Sequence, residues 1–89
     1  MIKPEWFSSF VSALKKWLGK HPSDRELIQA KLEDFTSKPF DPELKNHKLS
    51  GQLKGLRVIS VANNCRIVFS LVDDNISAMV SIGTHDEVF

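Results

Sequence analysis

The sequence predicts an α+β domain in which an N-terminal antiparallel helix pair packs on a small antiparallel β-meander. Three observations predict it. Apolar residues recur at three- and four-residue spacing as far as Phe35, the period changes to two after Gln52, and between these regimes lies a stretch with Pro39, Pro42 and Gly51 and no clear period. The 89 residues form one domain, 1–89, with a single modest core. Hydrophobic residues at 42% and charged residues at 26% exclude the disordered and fibrous classes.

The first helix is expected from Pro4 to Leu18, where Trp6, Phe7, Phe10, Val11, Leu14, Trp17 and Leu18 share one face. Pro4 suits its first turn and Gly19 its end. Ser23 and Glu26 form the Ser-x-x-Glu arrangement that satisfies the free amides opening a helix, so the second helix is expected from Ser23. It turns Leu27, Ile28, Leu32 and Phe35 inward, and Pro39 stops it. Residues 36–52 read as an ordered loop crossing to the sheet.

The strands are expected at Leu53–Val61, Cys65–Val72 and Ile76–Ile82, with Asn63-Asn64 and Asp73-Asp74-Asn75 as turns. Alternation assigns Ile76, Ala78, Val80 and Ile82 to the face under the helices. Ser77, Met79, Ser81 and the extension through Gly83 to His85 fall on the other. On the middle strand Ile67, Phe69 and Leu71 oppose Arg66, Val68 and Ser70, so Arg66 is expected on the same surface as His85.

A formal net charge of +1 implies no partner, but its distribution does. None of the 11 carboxylate side chains lies between Leu44 and Val72, a window holding Lys45, His47, Lys48, Lys54, Arg57 and Arg66. A concentrated positive field suits a phosphate backbone, and a set of solvated cations is the plainer alternative. The lone Cys65 can form no internal disulfide and no Cys pair exists to hold a metal, from which a cytoplasmic protein is expected. No apolar run approaches the about 18 residues that a membrane span needs, so no membrane partner is expected.

Cleaving RNA without a metal needs a base for the 2′-hydroxyl proton, cations against the phosphorane charge and an acid for the departing 5′-oxygen. Histidine serves as acid or base near neutrality, and arginine matches phosphate oxygens bidentately. His47 and His85 are the candidates for proton transfer, with Lys48, Lys54, Arg57 and Arg66 as the nearby cations, and Phe89 as a ring on which a splayed base would stack. Each has an ordinary alternative: the histidines as surface residues, Arg57 and Arg66 paired with Asp73, Asp74 or Glu33, and Phe89 tucked into the core. His21, in the link between the helices, reads as structural. The sequence has no Gly-rich phosphate loop, nucleophile elbow or metal-ligand spacing, so neither a metal nor a small-molecule cofactor is expected.

Three segments taken in order carry a resemblance: Asn46-His47-Lys48-Leu49-Ser50-Gly51-Gln52-Leu53-Lys54-Gly55-Leu56-Arg57, Cys65-Arg66-Ile67-Val68-Phe69, and Gly83-Thr84-His85-Asp86-Glu87-Val88-Phe89. Together they resemble the RelE/YafQ-type toxins of bacterial type II toxin–antitoxin modules, small ribonucleases acting on messenger RNA at the ribosome. The resemblance implies a RelE-like fold with a shortened first strand, a cognate antitoxin as protein partner and mRNA on the ribosome as substrate. It also implies His85 as general acid, Phe89 as the aromatic that positions RNA, His47 as a further contributor to cleavage and Arg66 against the phosphate, with Arg57 and Lys54 as weaker assignments. Where such proteins place a further His and an Asp in the first meander hairpin, this sequence has Ser60 and Asn64, leaving His47 as the histidine available for the base. Two other readings stay open: a RelE-fold binding module without cleavage, and a ParE-like gyrase inhibitor, against which the terminal His argues.

Overall fold

Strand β1, Lys3–Trp6, lies parallel to the last strand of the sheet, with Lys3 opposite Ile76 and Trp6 opposite Met79. The computed structural model describes residues 3–48, 55–62, 64–73 and 75–84. Pro4 is therefore in a strand and not in the first turn of a helix. The amides of Lys3 and Phe7 donate to the carbonyls of Asn75 and Met79 at 2.6 and 3.3 Å, so odd-numbered amides face the neighbouring strand. Pro4, which has no amide hydrogen, falls on the outward side of an edge strand, where none is needed. The shortened first strand is thus four residues long among those described.

Helix α1 runs from Ser8 to Lys20, continuing through Gly19, and His21 caps it by donating its amide to the Trp17 carbonyl at 2.8 Å. The His21 ring stacks on Trp17, with centroids 4.3 Å apart. A 3-10 turn at Pro22–Asp24 leads directly into α2, Arg25–Ser37. The expected Ser23 capping box does not form, because Pro22 draws Ser23 into this tight turn and helical geometry begins two residues later. Asp24 does not cap α2 either; its Oδ2 accepts from Trp17 Nε1 at 3.0 Å and ties the two helices together.

The crossing from helices to sheet contains more structure than a loop. Asp41 accepts the Glu43 amide at 3.0 Å to start a 3-10 turn, Pro42–Leu44, whose Leu44 is fully buried. Lys45 then adopts a left-handed conformation, φ 53°, and β2, His47–Lys48, begins. The meander follows as β3 (Arg57–Ala62), β4 (Cys65–Leu71) and β5 (Ile76–Gly83). Leu53 and Lys54, expected to open β3, lie outside the described residues. The sheet order is β1-β5-β4-β3-β2, antiparallel except for β1.

Both helices cover one face of this sheet, α1 over β5 and α2 over β3. Phe10, Trp17, Ile28 and Phe35 meet Ile59, Ile67, Phe69, Met79 and Ile82 there in one buried cluster. Phe35 and Phe69 cross edge to face at 4.8 Å. Burying each such side chain contributes about 1.5–3 kcal/mol.

The expected faces hold for β4 and fail for half of β5. Phe69 is opposite Met79 while Val68 is opposite Ser81, so Val80 is an extra residue in the ladder. This bulge exchanges the faces on either side of it. Ser77 and Met79 point under the helices together with Ile82, while Ala78 does not. Ser77 is 0% exposed, and its hydroxyl lies 3.6 Å from Met79 Sδ.

Candidate functional site

On the sheet face turned away from the helices, the pairing His47↔Val58, Val58↔Val68, Ser60↔Arg66 and Arg66↔Gly83 brings His47 and Arg66 to one surface. They are two strands apart across the sheet and two residues apart along it. Strand spacing then puts their Cα atoms about 12 Å apart, within the combined reach of the two side chains. Val58 and Val68 lie buried between them, and His47 is exposed while Ser60, Arg66, Ser70 and Ser81 are half-buried. Among the described strand residues, Glu5 is the one carboxylate on this face; it sits opposite Ala78 on the edge strand β1, at the far side of the sheet from His47.

His47 is held in one orientation by its own chain. The left-handed turn at Lys45 brings that residue's carbonyl to within 2.8 Å of His47 Nδ1. A carbonyl only accepts, so Nδ1 carries the hydrogen in this contact and a neutral ring keeps its lone pair on Nε2. An imidazole in this tautomer can take a proton from a hydroxyl. A two-residue strand paired to β3 thus takes the place of the expected ordered loop under His47.

Arg66 projects from the middle of the sheet, and its one hydrogen bond among the described residues is a long 3.5 Å contact from Nη1 to the Cys65 carbonyl. Gly83, opposite it on β5, has no side chain to cover the guanidinium. Among the described residues no carboxylate pairs with Arg66 or Arg57, and Lys31–Glu43 at 3.5 Å is the single ion pair.

Lys48 and Arg57 are directly opposite each other, and both register with the helix side of the sheet. They are therefore not brought together with Arg66 and His47. Arg57 Nε donates to Asn46 Oδ1 at 2.7 Å, and the guanidinium carbon sits 5.1 Å from the centroid of the Phe40 ring. Asn46 in turn donates to the Pro39 carbonyl at 2.8 Å. This clasp fixes the crossing segment and, with it, the strand that carries His47. Sequence reasoning gave no role to Asn46, Phe40 or the Lys45 carbonyl; only an aromatic set between Pro39 and Pro42 hinted that this segment was ordered. Ser60 lies next to Arg66, and Asn64 adopts φ 56°, a left-handed turn conformation that Asn accommodates readily. His85, Lys54 and Phe89 lie outside the described residues.

No three His, Cys, Asp or Glu side chains among the described residues cluster as a metal site, and no described helix is long and apolar enough to cross a membrane.

No family model matches the chain, and no curated protein matches it in sequence. Solved structures do match it in fold. A copper-bound mutant toxin from Helicobacter pylori superposes with a TM-score of 0.80 at 27% identity, covering 100% of both chains. YafQ from E. coli superposes with a TM-score of 0.81 at 20% identity, covering 100% of this chain and 99% of that one. YafQ taken from the E. coli DinJ–YafQ toxin–antitoxin complex gives 0.78 at 21% identity, covering 99% of this chain and 97% of that one.

Proposed function

We propose, starting from the RelE/YafQ-type toxin fold that this chain has, that it is the toxin of a toxin–antitoxin module and a metal-independent endoribonuclease acting on mRNA at the ribosome. The observation that carries this reading is the convergence of His47, its Nε2 left as the ring's acceptor, and Arg66 on one sheet face, with the carboxylate of that face, Glu5, on the opposite edge strand from His47. A fold shared with toxins would accommodate many surfaces, but this one brings a candidate base and a cation together, two of the three groups that phosphodiester cleavage needs.

In the proposed reaction His47 Nε2 takes the proton of a ribose 2′-hydroxyl, and the 2′-oxygen attacks the adjacent phosphate. Arg66 neutralises the charge gathering on the phosphorane oxygens. His85 gives a proton to the departing 5′-oxygen, leaving a 2′,3′-cyclic phosphate on the upstream fragment. Phe89 stacks on a base, and Lys54 and Lys48 add to the field that attracts RNA. The protein partner is an antitoxin, as DinJ is for YafQ, and it covers this basic surface. The protein acts in the cytoplasm.

A second reading, a binding module of the same fold without cleavage, has one observation in its favour: Ser60, beside Arg66, contributes no titratable group. Induced expression with and without the antitoxin separates the two. The nuclease reading expects growth arrest, messenger cuts that appear only during translation, and relief of both by His85→Ala. Growth arrest by His85→Ala with intact messenger would overturn it in favour of binding alone.

A further inference from the structure

A cleft of about 440 Å³ opens on the other side of β5 from Arg66, between that strand and the last turns of α1. Its volume falls in the range of small-ligand sites, about 300–1,000 Å³. Strand β1 leaves β5 at Met79, and Ser9 Oγ donates to the Val80 carbonyl at 2.8 Å. Beyond that point no described strand flanks β5 on this side, and Ser81 and Ile82 form one wall.

The opposite wall is two adjacent rows of α1. Trp17 and His21, four residues apart, make an aromatic row in which Trp17 is buried and covers one face of an exposed imidazole. Lys16 and Lys20, also four apart, make a cationic row beside it. Neither lysine has an acidic partner among the described residues. Lysines gathered at a helix C-terminus already have a role in complementing its dipole, but that role does not call for an aromatic platform or an adjoining cleft. Cations beside a stacked ring are the arrangement that tracks single-stranded nucleic acid, one for the phosphate and the other for the base.

We propose that this cleft holds one nucleotide of a single-stranded RNA, its base stacked on His21 and its phosphates against Lys16 and Lys20. The proposal rests on the RNA reading of the Arg66 face. Gly83 is adjacent to Arg66, and the cleft opens at the far edge of β5 on the helix side, so a strand that rounds this edge reaches both. An acidic peptide would use the two lysines but has nothing to place on the ring. The cleft would therefore extend the footprint on RNA beyond the reacting phosphate.

The test uses the full chain carrying His85→Ala, so that RNA is not consumed, with a labelled oligouridylate and an abasic oligonucleotide of the same length as probes. The double substitution Lys16→Ala with Lys20→Ala is expected to weaken oligouridylate binding and to flatten its salt dependence by about 0.7 for each phosphate deprived of its lysine. His21→Ala is expected to weaken oligouridylate about fivefold and to leave the abasic probe unchanged. Arg66→Ala in the same assay reports on the proposed reaction site: if it has no effect while the cleft variants do, the Arg66 reading fails and the cleft stands. Unchanged binding in the double lysine variant overturns the cleft. So does equal weakening of both probes on His21→Ala, or full competition by a polyglutamate peptide, which would mark an acidic protein partner.

Discussion

Arg57 and Asn46 are joined by a 2.7 Å hydrogen bond that makes Arg57 part of the scaffold, on the opposite side of the sheet from Arg66. Its guanidinium also lies over the Phe40 ring. Arg57→Ala is expected to cost about 1–3 kcal/mol of folding stability, from a hydrogen bond with a charged donor and a cation–π contact. Urea unfolding measures this loss. The salt slope of RNA binding should stay where it is, whereas Arg66→Ala lowers it by about 0.7. A lowered slope in Arg57→Ala would return Arg57 to the phosphate.

The contact between the Lys45 carbonyl and His47 Nδ1 at 2.8 Å makes a prediction about rate. His47→Gln removes the proposed base and is expected to lower kcat for RNA cleavage about a hundredfold or more. Lys45→Gly retains the left-handed backbone and the carbonyl, so kcat should hardly change, while the missing cation shows in KM. Lys45→Val strains that backbone and should lower kcat along with stability. Equal kcat values for Lys45→Val and Lys45→Gly would remove the carbonyl from the argument.

The helix hairpin depends on a bond across its turn. Asp24→Ala leaves Trp17 Nε1, on a nearly buried ring, without its 3.0 Å partner. The expected cost is about 1–3 kcal/mol, visible as a lower urea midpoint with an unchanged slope. Asp24→Asn retains an accepting oxygen and should lose less. If the alanine and asparagine variants unfold at the same midpoint, the bond contributes nothing.

Gly19 lies within α1, and a Cβ built on it meets nothing within 4 Å. Gly19→Ala should therefore stabilise the protein by about 0.5 kcal/mol, less than in mid-helix because the last turn frays. Thermal unfolding should show a midpoint higher by about 2–4 °C. A lower midpoint would show that the glycine has a role beyond the helix.

The sequence carried the layer order because Phe10, Trp17, Ile28 and Phe35 repeat with the helical period, while Ile67 and Phe69 alternate. Periodicity did not carry β1, which the resemblance alone implied, since Pro4 looks like a helix start until a partner strand exists to set its outward edge. Nor did it carry the bulge at Val80. Alternation is a local signal, and a residue inserted into a ladder is defined only against the facing strand. For the site, the cation-rich window located His47 and Arg66 but did not separate Arg66 from Arg57. Which face an arginine occupies follows from the strand register, and what it binds follows from Asn46 and Phe40, far from it in sequence.

The pairing of Lys3–Trp6 with Ile76–Met79 joins the start of the described chain to its last strand. No partial chain that lacks β5 can complete this sheet, because β5 is the member between β1 and β4. α1 would have no strand to cover, and the Phe10 and Trp17 side chains would stay in water. During synthesis the sheet whose face carries His47 and Arg66 is thus completed only once β5 has been made. Until β5 has been made, a nascent copy has an unfinished sheet and stays open to capture or proteolysis.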